Sequence, residues 1–255
     1  MNDEDLPPLL TTRGVIATIT LRRPRRANRL TPDDLLVLQA QIAEVNAQPA
    51  LLVLRLTAQG RHFCSGYDIA SIGGADAGDA GATFALLADA LEAARPVTIA
   101  AIQGGVYGGA TDLALACDFR LGTPACEMFV PAARLGLHFY RSGLERYVSR
   151  LVLAVAKRVM LAGETLDAQA MRDCGFLDRL VAPDALMSEG YALSATLAGM
   201  APLALLGMKA SLNRIARGVE SDATERAIAA AAQSQDLREG TLVWQEKRAP
   251  QFSGR

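Results

Sequence analysis

The chain has 255 residues, 51% hydrophobic and 21% charged, with 26 basic against 27 acidic side chains. That much apolar material can build a sizeable core, so disorder is not the default. The near-neutral balance speaks against nucleic acid or an anionic membrane as a partner, and any anionic ligand has to be met by a local cluster.

In chain order, Met1 to Pro8 is acidic and lacks the basic start of a targeting peptide. Val15 to Leu21 alternates with β-branched residues and predicts a strand. A basic loop follows, with Arg22, Arg23, Arg25, Arg26 and Arg29. Thr31 can cap a helix with Pro32 at its first position, running to about Val45. Leu51 to Leu56 is nearly all apolar, as in a strand covered on both faces. Gly73 to Gly81 reads as a mobile loop near a site. Ala82 to Ala94 predicts a helix, Pro96 to Ile102 a strand, Gly108 to Ala116 a short buried helix and Phe119 to Leu121 a further strand. Strands alternating with helices predict an α/β fold with right-handed crossovers.

Beyond Ser142, segments 142–161, 167–174, 184–200, 202–217 and 219–238 have helical spacing, and Leu177 to Val181 is the single strand-like piece. We therefore expect an α/β core over 1–195 and a helical C-terminal subdomain over 196–255. Cys64, Cys117, Cys126 and Cys174 form no C-x-x-C pair, and with His62 and His138 as the only histidines no metal site is expected. Free thiols and the lack of an apolar run near the ~20 residues of a membrane helix predict a soluble, cytoplasmic protein with no membrane partner.

Two segments carry the chemistry. Gly60 to Ile69 (GRHFCSGYDI) follows an apolar strand and precedes a helix start, where backbone N–H groups after Gly66 can point outward. Gly104 to Asp118 (GGVYGGATDLALACD) opens a helix with four glycines in six residues. It is neither a P-loop nor a dinucleotide fingerprint, which leaves a tight packing turn or a helix N-terminus that a ligand can touch.

Taken together, these segments resemble the crotonase (enoyl-CoA hydratase/isomerase) superfamily. The likeness extends through Leu21 to Leu30 (LRRPRRANRL), Leu161 to Ala170, Gly175 to Val181 and Glu246 to Phe252 (EKRAPQF). The resemblance implies a crotonase-like core of repeated ββα units and chemistry on an acyl-CoA thioester, with no cofactor beyond the coenzyme A of the substrate. It assigns the two oxyanion-binding N–H groups to Tyr67 and Gly109, with Gly66 and Gly108 among the substrate-binding residues. Fixed backbone dipoles of this kind stabilise an enolate without reorganising. It also places the CoA surface around Arg26, Ala27 and Asn28 and the backbone of Cys64 and Ser65, with contributions from Lys209, Lys247 and Phe252. A homotrimer or a dimer of trimers is implied as well.

Of the family's two acid/base glutamates, the first falls at Asp112 and the second at Ala132, which cannot transfer a proton. Each such group contributes about 10²–10⁴-fold, so efficient standard hydration is not expected. Asp112 is expected to act as acid or base from an apolar surrounding, and Asp68 and Asp118 to be structural. His138, Tyr140 and Arg141 are candidates to meet the acyl group; the alternative is that His138 and Phe139 fill space while Arg141 pairs with Glu145. The competing reactions are hydration or isomerisation, decarboxylation of a malonyl-type thioester, and hydrolysis. A non-catalytic acyl-CoA-binding protein is the rival of another class.

Overall fold

The computed structural model describes residues 5–68 and 77–255, with side chains from 81 onward in the second part. The chain runs through β1 (Leu6–Arg13), β2 (Ile16–Arg22), α1 (Pro32–Asn46), β3 (Val53–Ala58), α2 (Ala77–Glu92), β4 (Val97–Ile102), β5 (Val106–Tyr107) and α3 (Gly109–Ala116). It continues through β6 (Phe119–Gly122), β7 (Glu127–Phe129), α4 (Arg141–Leu161), β8 (Leu166–Asp167), α5 (Ala168–Asp173), β9 (Arg179–Leu180) and α6 (Leu186–Ala198). The last three helices are α7 (Pro202–Ala216), α8 (Ala223–Ala232) and α9 (Gln235–Glu246).

The main sheet has the order β1-β2-β3-β4-β6-β9, antiparallel at β1/β2 and parallel from there on. Every residue of β4 is buried because helices cover both faces of this central strand. Ala100 and Ile102 face the larger core, with Leu35 and Leu38 of α1, Leu87 of α2 and Leu113 of α3. Val97, Ile99 and Ala101 face the other way, onto Leu186 and Leu197 of α6. A small sheet, β5-β7-β8, stands apart from the main one.

Helix α1 starts as its sequence requires. Thr31 Oγ1 accepts from the Asp34 N–H at 3.2 Å, the Asp34 carboxylate accepts from the Thr31 N–H at 3.0 Å, and Pro32 takes the first helical position.

Several expectations are corrected. Leu6–Arg13, for which no element was predicted, forms β1, which pairs with β2 through Leu9↔Thr20 to Arg13↔Ile16. The helix expected from Ala82 begins at Ala77, inside the expected Gly73–Gly81 loop, whose residues 73–76 lie outside the described residues. The helix expected over 219–238 is two, α8 and α9, separated where the Ser234 side chain caps α9. Helix α4 is interrupted at Val152, where φ is 58°, a strained value for a β-branched residue that neither glycine nor proline marks in the sequence.

The C-terminal helices are anchored by few buried groups. Lys209 of α7 is one: its Nζ donates to Pro96 O at 2.6 Å and pairs with Asp118 at 2.8 Å. Among the described residues no single helix is long and apolar enough to cross a membrane.

Candidate active site

The two glycine-rich segments meet. Leu30 and Tyr67 form a parallel bridge in which the Leu30 N–H donates to Gly66 O and the Asp68 N–H to Leu30 O. That pairing turns the N–H of Tyr67 to the opposite side. Cys64 and Val106 form a second bridge, with the Tyr107 N–H donating to Cys64 O at 3.0 Å.

Gly66 lies between them with φ +85°, and a Cβ there would stand 2.8 Å from Tyr107 O and 3.2 Å from Gly109 N. Only glycine permits both the backbone angle and the approach. Gly109 opens α3, and a Cβ on it would come within 2.9 Å of the Phe84 ring. Neither the Tyr67 N–H nor the Gly109 N–H has a backbone acceptor among the described residues. Two backbone donors without a backbone acceptor thus flank the same tight approach, one directly after Gly66 and one at the start of a buried helix.

Aromatic rings wall this corner. Phe84 meets Tyr67 edge-on and tilts toward Tyr140, both at 6.5 Å between centroids, and Tyr140 stacks on Phe139 at 4.6 Å. Burial, together with the neighbouring Asp68 charge, raises the Tyr67 hydroxyl above its ordinary pKa.

The surrounding of Asp112 is the main correction. It is fully buried but not apolar: Arg146 Nε donates to Oδ1 at 2.8 Å, Arg146 Nη2 to Oδ2 at 2.6 Å, and the Tyr140 hydroxyl to Oδ2 at 2.5 Å. Burial drives the Tyr140 hydroxyl well above its usual pKa, and the Asp112 charge adds to that. Burial works against the charged form of Arg146, but Asp112, Asp89 and Glu92 more than reverse it and raise its pKa.

The other expected residues are scattered. Ala132 is half-buried in a short turn of 3-10 helix, Ala132–Leu135, packed against the core. His138 is exposed, with Nδ1 2.7 Å from Phe139 O. Arg141 is 93% exposed and pairs with Glu145 at 2.7 Å, so the pairing alternative holds for it.

Asn28 is buried: its Nδ2 donates to Gln59 O and His62 O, and its Oδ1 accepts from the Arg23 N–H, each at 2.8 Å. It ties the basic loop to the glycine segment. Ala27 O accepts from the Ser65 N–H at 2.8 Å, and the Cys64 thiol donates to Asn28 O at 3.0 Å. Arg26 pairs with Asp5, Arg23 with Asp34 and Arg29 with Asp68, while the exposed Arg25 has no carboxylate partner among the described residues. Lys209 is corrected as a CoA contact, being committed inside the fold to Pro96 O and Asp118.

Comparison with known proteins decides the family. The family model for enoyl-CoA hydratase/isomerase matches residues 11–255. The chain belongs to the enoyl-CoA hydratase/isomerase family. It is 31% identical over 261 residues to a carnitinyl-CoA dehydratase of Proteus mirabilis, covering 96% of this chain and 98% of that protein. It is 27% identical to a crotonyl-CoA hydratase of Syntrophomonas wolfei, covering 93% and 94%. Among solved structures, an enoyl-CoA hydratase/carnithine racemase from Magnetospirillum magneticum superposes with a TM-score of 0.90 at 27% identity, covering 97% of this chain and 96% of that one. The fold is therefore the crotonase fold, and the protein is an acyl-CoA enzyme of the enoyl-CoA hydratase/isomerase family.

Sequence reasoning missed Phe84, Tyr147 and Arg146. Tyr147 is fully buried and hydrogen-bonds Thr111 of α3 through its hydroxyl. Arg146 carried one signal: it adjoins the inward stripe Gly143, Tyr147 and Leu151 of α4, where a charge is out of place unless paired.

Proposed function

We propose that the protein acts on an acyl-CoA thioester through an enolate whose oxygen is held by the N–H groups of Tyr67 and Gly109, and that it is not an efficient standard hydratase. The lack of a backbone acceptor at both N–H groups, and the close approach of Gly66 to Gly109 N, support the first part. Charge grows on the thioester oxygen as the enolate forms, and a fixed donor at that point is worth roughly 3–4 kcal/mol. The second part rests on the acid/base positions. Ala132 has no proton to transfer, and Asp112 is committed to Arg146 and Tyr140. Adding water across a double bond needs a group that orients the water and another that moves its proton.

The anionic CoA moiety fits the basic loop, where Arg25 is uncommitted and Ala27 to Asn28 back onto Cys64 and Ser65. The homotrimer or dimer of trimers is part of the same proposal. Exposed Met208, Leu212 and Ile215, a stripe along α7, support burial of that face between copies. Light scattering of the purified protein measures it, and a monomer at micromolar concentration ends it.

The deciding experiment is mass spectrometry of saturated, 2-enoyl and malonyl-type acyl-CoAs incubated with the protein in deuterated water. Protein-dependent α-deuterium, with slow or no water addition to crotonyl-CoA, is the expected result. Rapid hydration of crotonyl-CoA would refute the second part. Thioesters that bind and never change mass would leave a non-catalytic acyl-CoA-binding protein.

A further inference from the structure

Helix α4 brings one guanidinium against three carboxylates. Arg146 is fully buried, and besides its two bonds to Asp112 its Nη1 donates to Asp89 at 2.6 Å and to Glu92 at 3.2 Å. All three of its nitrogens are engaged. A bidentate guanidinium–carboxylate pair fixes the plane of both groups, which a lysine cannot do. The acids on its far side are held in turn: Arg150 pairs with Glu92 at 2.9 Å, and Arg217, at the C-terminal end of α7, pairs with Asp89 and Glu92. The guanidinium therefore has no room to swing, and the plane of Asp112 is set from behind.

The consequence lies at Tyr140. A phenol carries one proton, and here it is donated to Asp112 Oδ2. The oxygen of Tyr140 is thereby left as an acceptor toward anything else it meets. Asp112 lies three residues after Gly109 on α3, so the two fall on the same side of the helix. We propose that Arg146 is a positioning residue of the acyl site: by holding Asp112 as a fixed acceptor it commits the Tyr140 proton inward and turns the Tyr140 oxygen into an acceptor at the site. The inference rests on the reading of Tyr67 and Gly109 as the thioester-binding pair. The position of Tyr140 and the state of its proton are nevertheless measurable without any turnover.

The test uses the full-length protein with tyrosine labelled by ¹³C at Cζ, whose resonance reports the hydrogen bond of each phenol. There are five tyrosines, and Tyr140→Phe assigns the one of interest. The variants are Arg146→Gln, which removes the charge, and Arg146→Lys, which keeps it and loses the fork. Both are expected to move the Tyr140 resonance, Arg146→Lys by less, while Tyr147, bonded to Thr111, stays in place.

On an acyl-CoA that the wild type converts, Arg146→Gln is expected to lower kcat roughly a hundredfold, as a misplaced group does, with acyl-CoA affinity changed less than about twofold. Tyr140→Phe should add little in that background, because the two act as one unit. A Tyr140 resonance unmoved in the Arg146 variants, or a Tyr140→Phe loss that multiplies independently, would overturn the proposal and leave Arg146 a structural staple. If Arg146→Gln does not fold, Arg146→Lys decides by the same resonance. If the wild type converts no acyl-CoA, the enolate reading fails while the resonance still decides the role of Arg146.

Discussion

Arg146 grips both carboxylate oxygens of Asp112, at 2.8 and 2.6 Å, and neither side chain reaches solvent. Such a pair adds little net stability when complete, because desolvation offsets most of the attraction, yet removing one partner leaves the other charge buried. Asp112→Ala is therefore expected to destabilise the protein by about 3 kcal/mol, the low end of the usual range because Asp89 and Glu92 remain beside the guanidinium. Urea denaturation measures this, and a loss below about 1 kcal/mol would show that the site relaxes or hydrates.

Gly66 stands where the two segments touch. Gly66→Ala must hold a side chain at φ +85° and 2.8 Å from Tyr107 O. The backbone angle alone costs about 1–2 kcal/mol, and the contact forces β5 away from the turn. Thermal unfolding should fall accordingly, and enolate chemistry should fall further than stability does, because Gly109 N lies 3.2 Å from the same point. A variant with lowered stability and unchanged turnover would place the reaction elsewhere.

Position 132 is open to a gain of function. Ala132 is half-buried at the start of its turn of 3-10 helix, and on the proposed reading a carboxylate there would supply the missing proton transfer. Ala132→Glu is expected to speed hydration of crotonyl-CoA by about 10²-fold, the lower end for a positioned acid or base. An Ala132→Glu protein that folds and hydrates no faster would mean that the commitment of Asp112, not position 132, limits the reaction.

The thiols are predicted to be inert in the native state. Burial pushes Cys64 and Cys117 up to about 12, and it raises Cys126 and the part-exposed Cys174 as well. The thiolate is the reactive form. Titration with a chromophoric disulfide at pH 8 should label Cys174 slowly and the other three only after unfolding. Rapid native labelling of Cys64 would contradict the packing of its sulfur against Asn28 O.

The Gln251 contact of the C-terminal tail should loosen in acid. Hydrogen bonds from Arg248, then from the Gln251 N–H, lower the Glu239 carboxyl from its ordinary 4.5 to about 2. A depressed folded-state value means the anchoring is fully present above about pH 4.5 and is lost as the pH falls toward 2. The amide resonance of Gln251 should therefore shift toward its unfolded position over that interval. In Glu239→Gln it should already be shifted at pH 7.

Much of this protein is local information. The β-branched alternation at Ile16–Arg22, the Thr31-Pro32 start of α1, the apolar run of β3 and the glycines around Gly66 and Gly109 can be read from neighbours in the chain, because strand and helix periods and glycine turns are short-range properties. The motifs of the two glycine segments, together with those at Leu21–Leu30 and Glu246–Phe252, carried the resemblance to the family. The strands β1, β5, β7 and β8 were not legible. Three of them have only two or three residues, too few to show a period, and β1 contains two prolines.

The environment of Asp112 was beyond the sequence altogether. Arg146 is 34 residues away from it, and Asp89 is 57 from Arg146. Which charges meet inside a protein follows from how its helices pack, since a buried carboxylate takes its character from groups that only tertiary structure brings within hydrogen-bonding distance. The same reason removed Lys209 from the expected CoA surface: packing of α7 carried it to Pro96, 113 residues away in the chain.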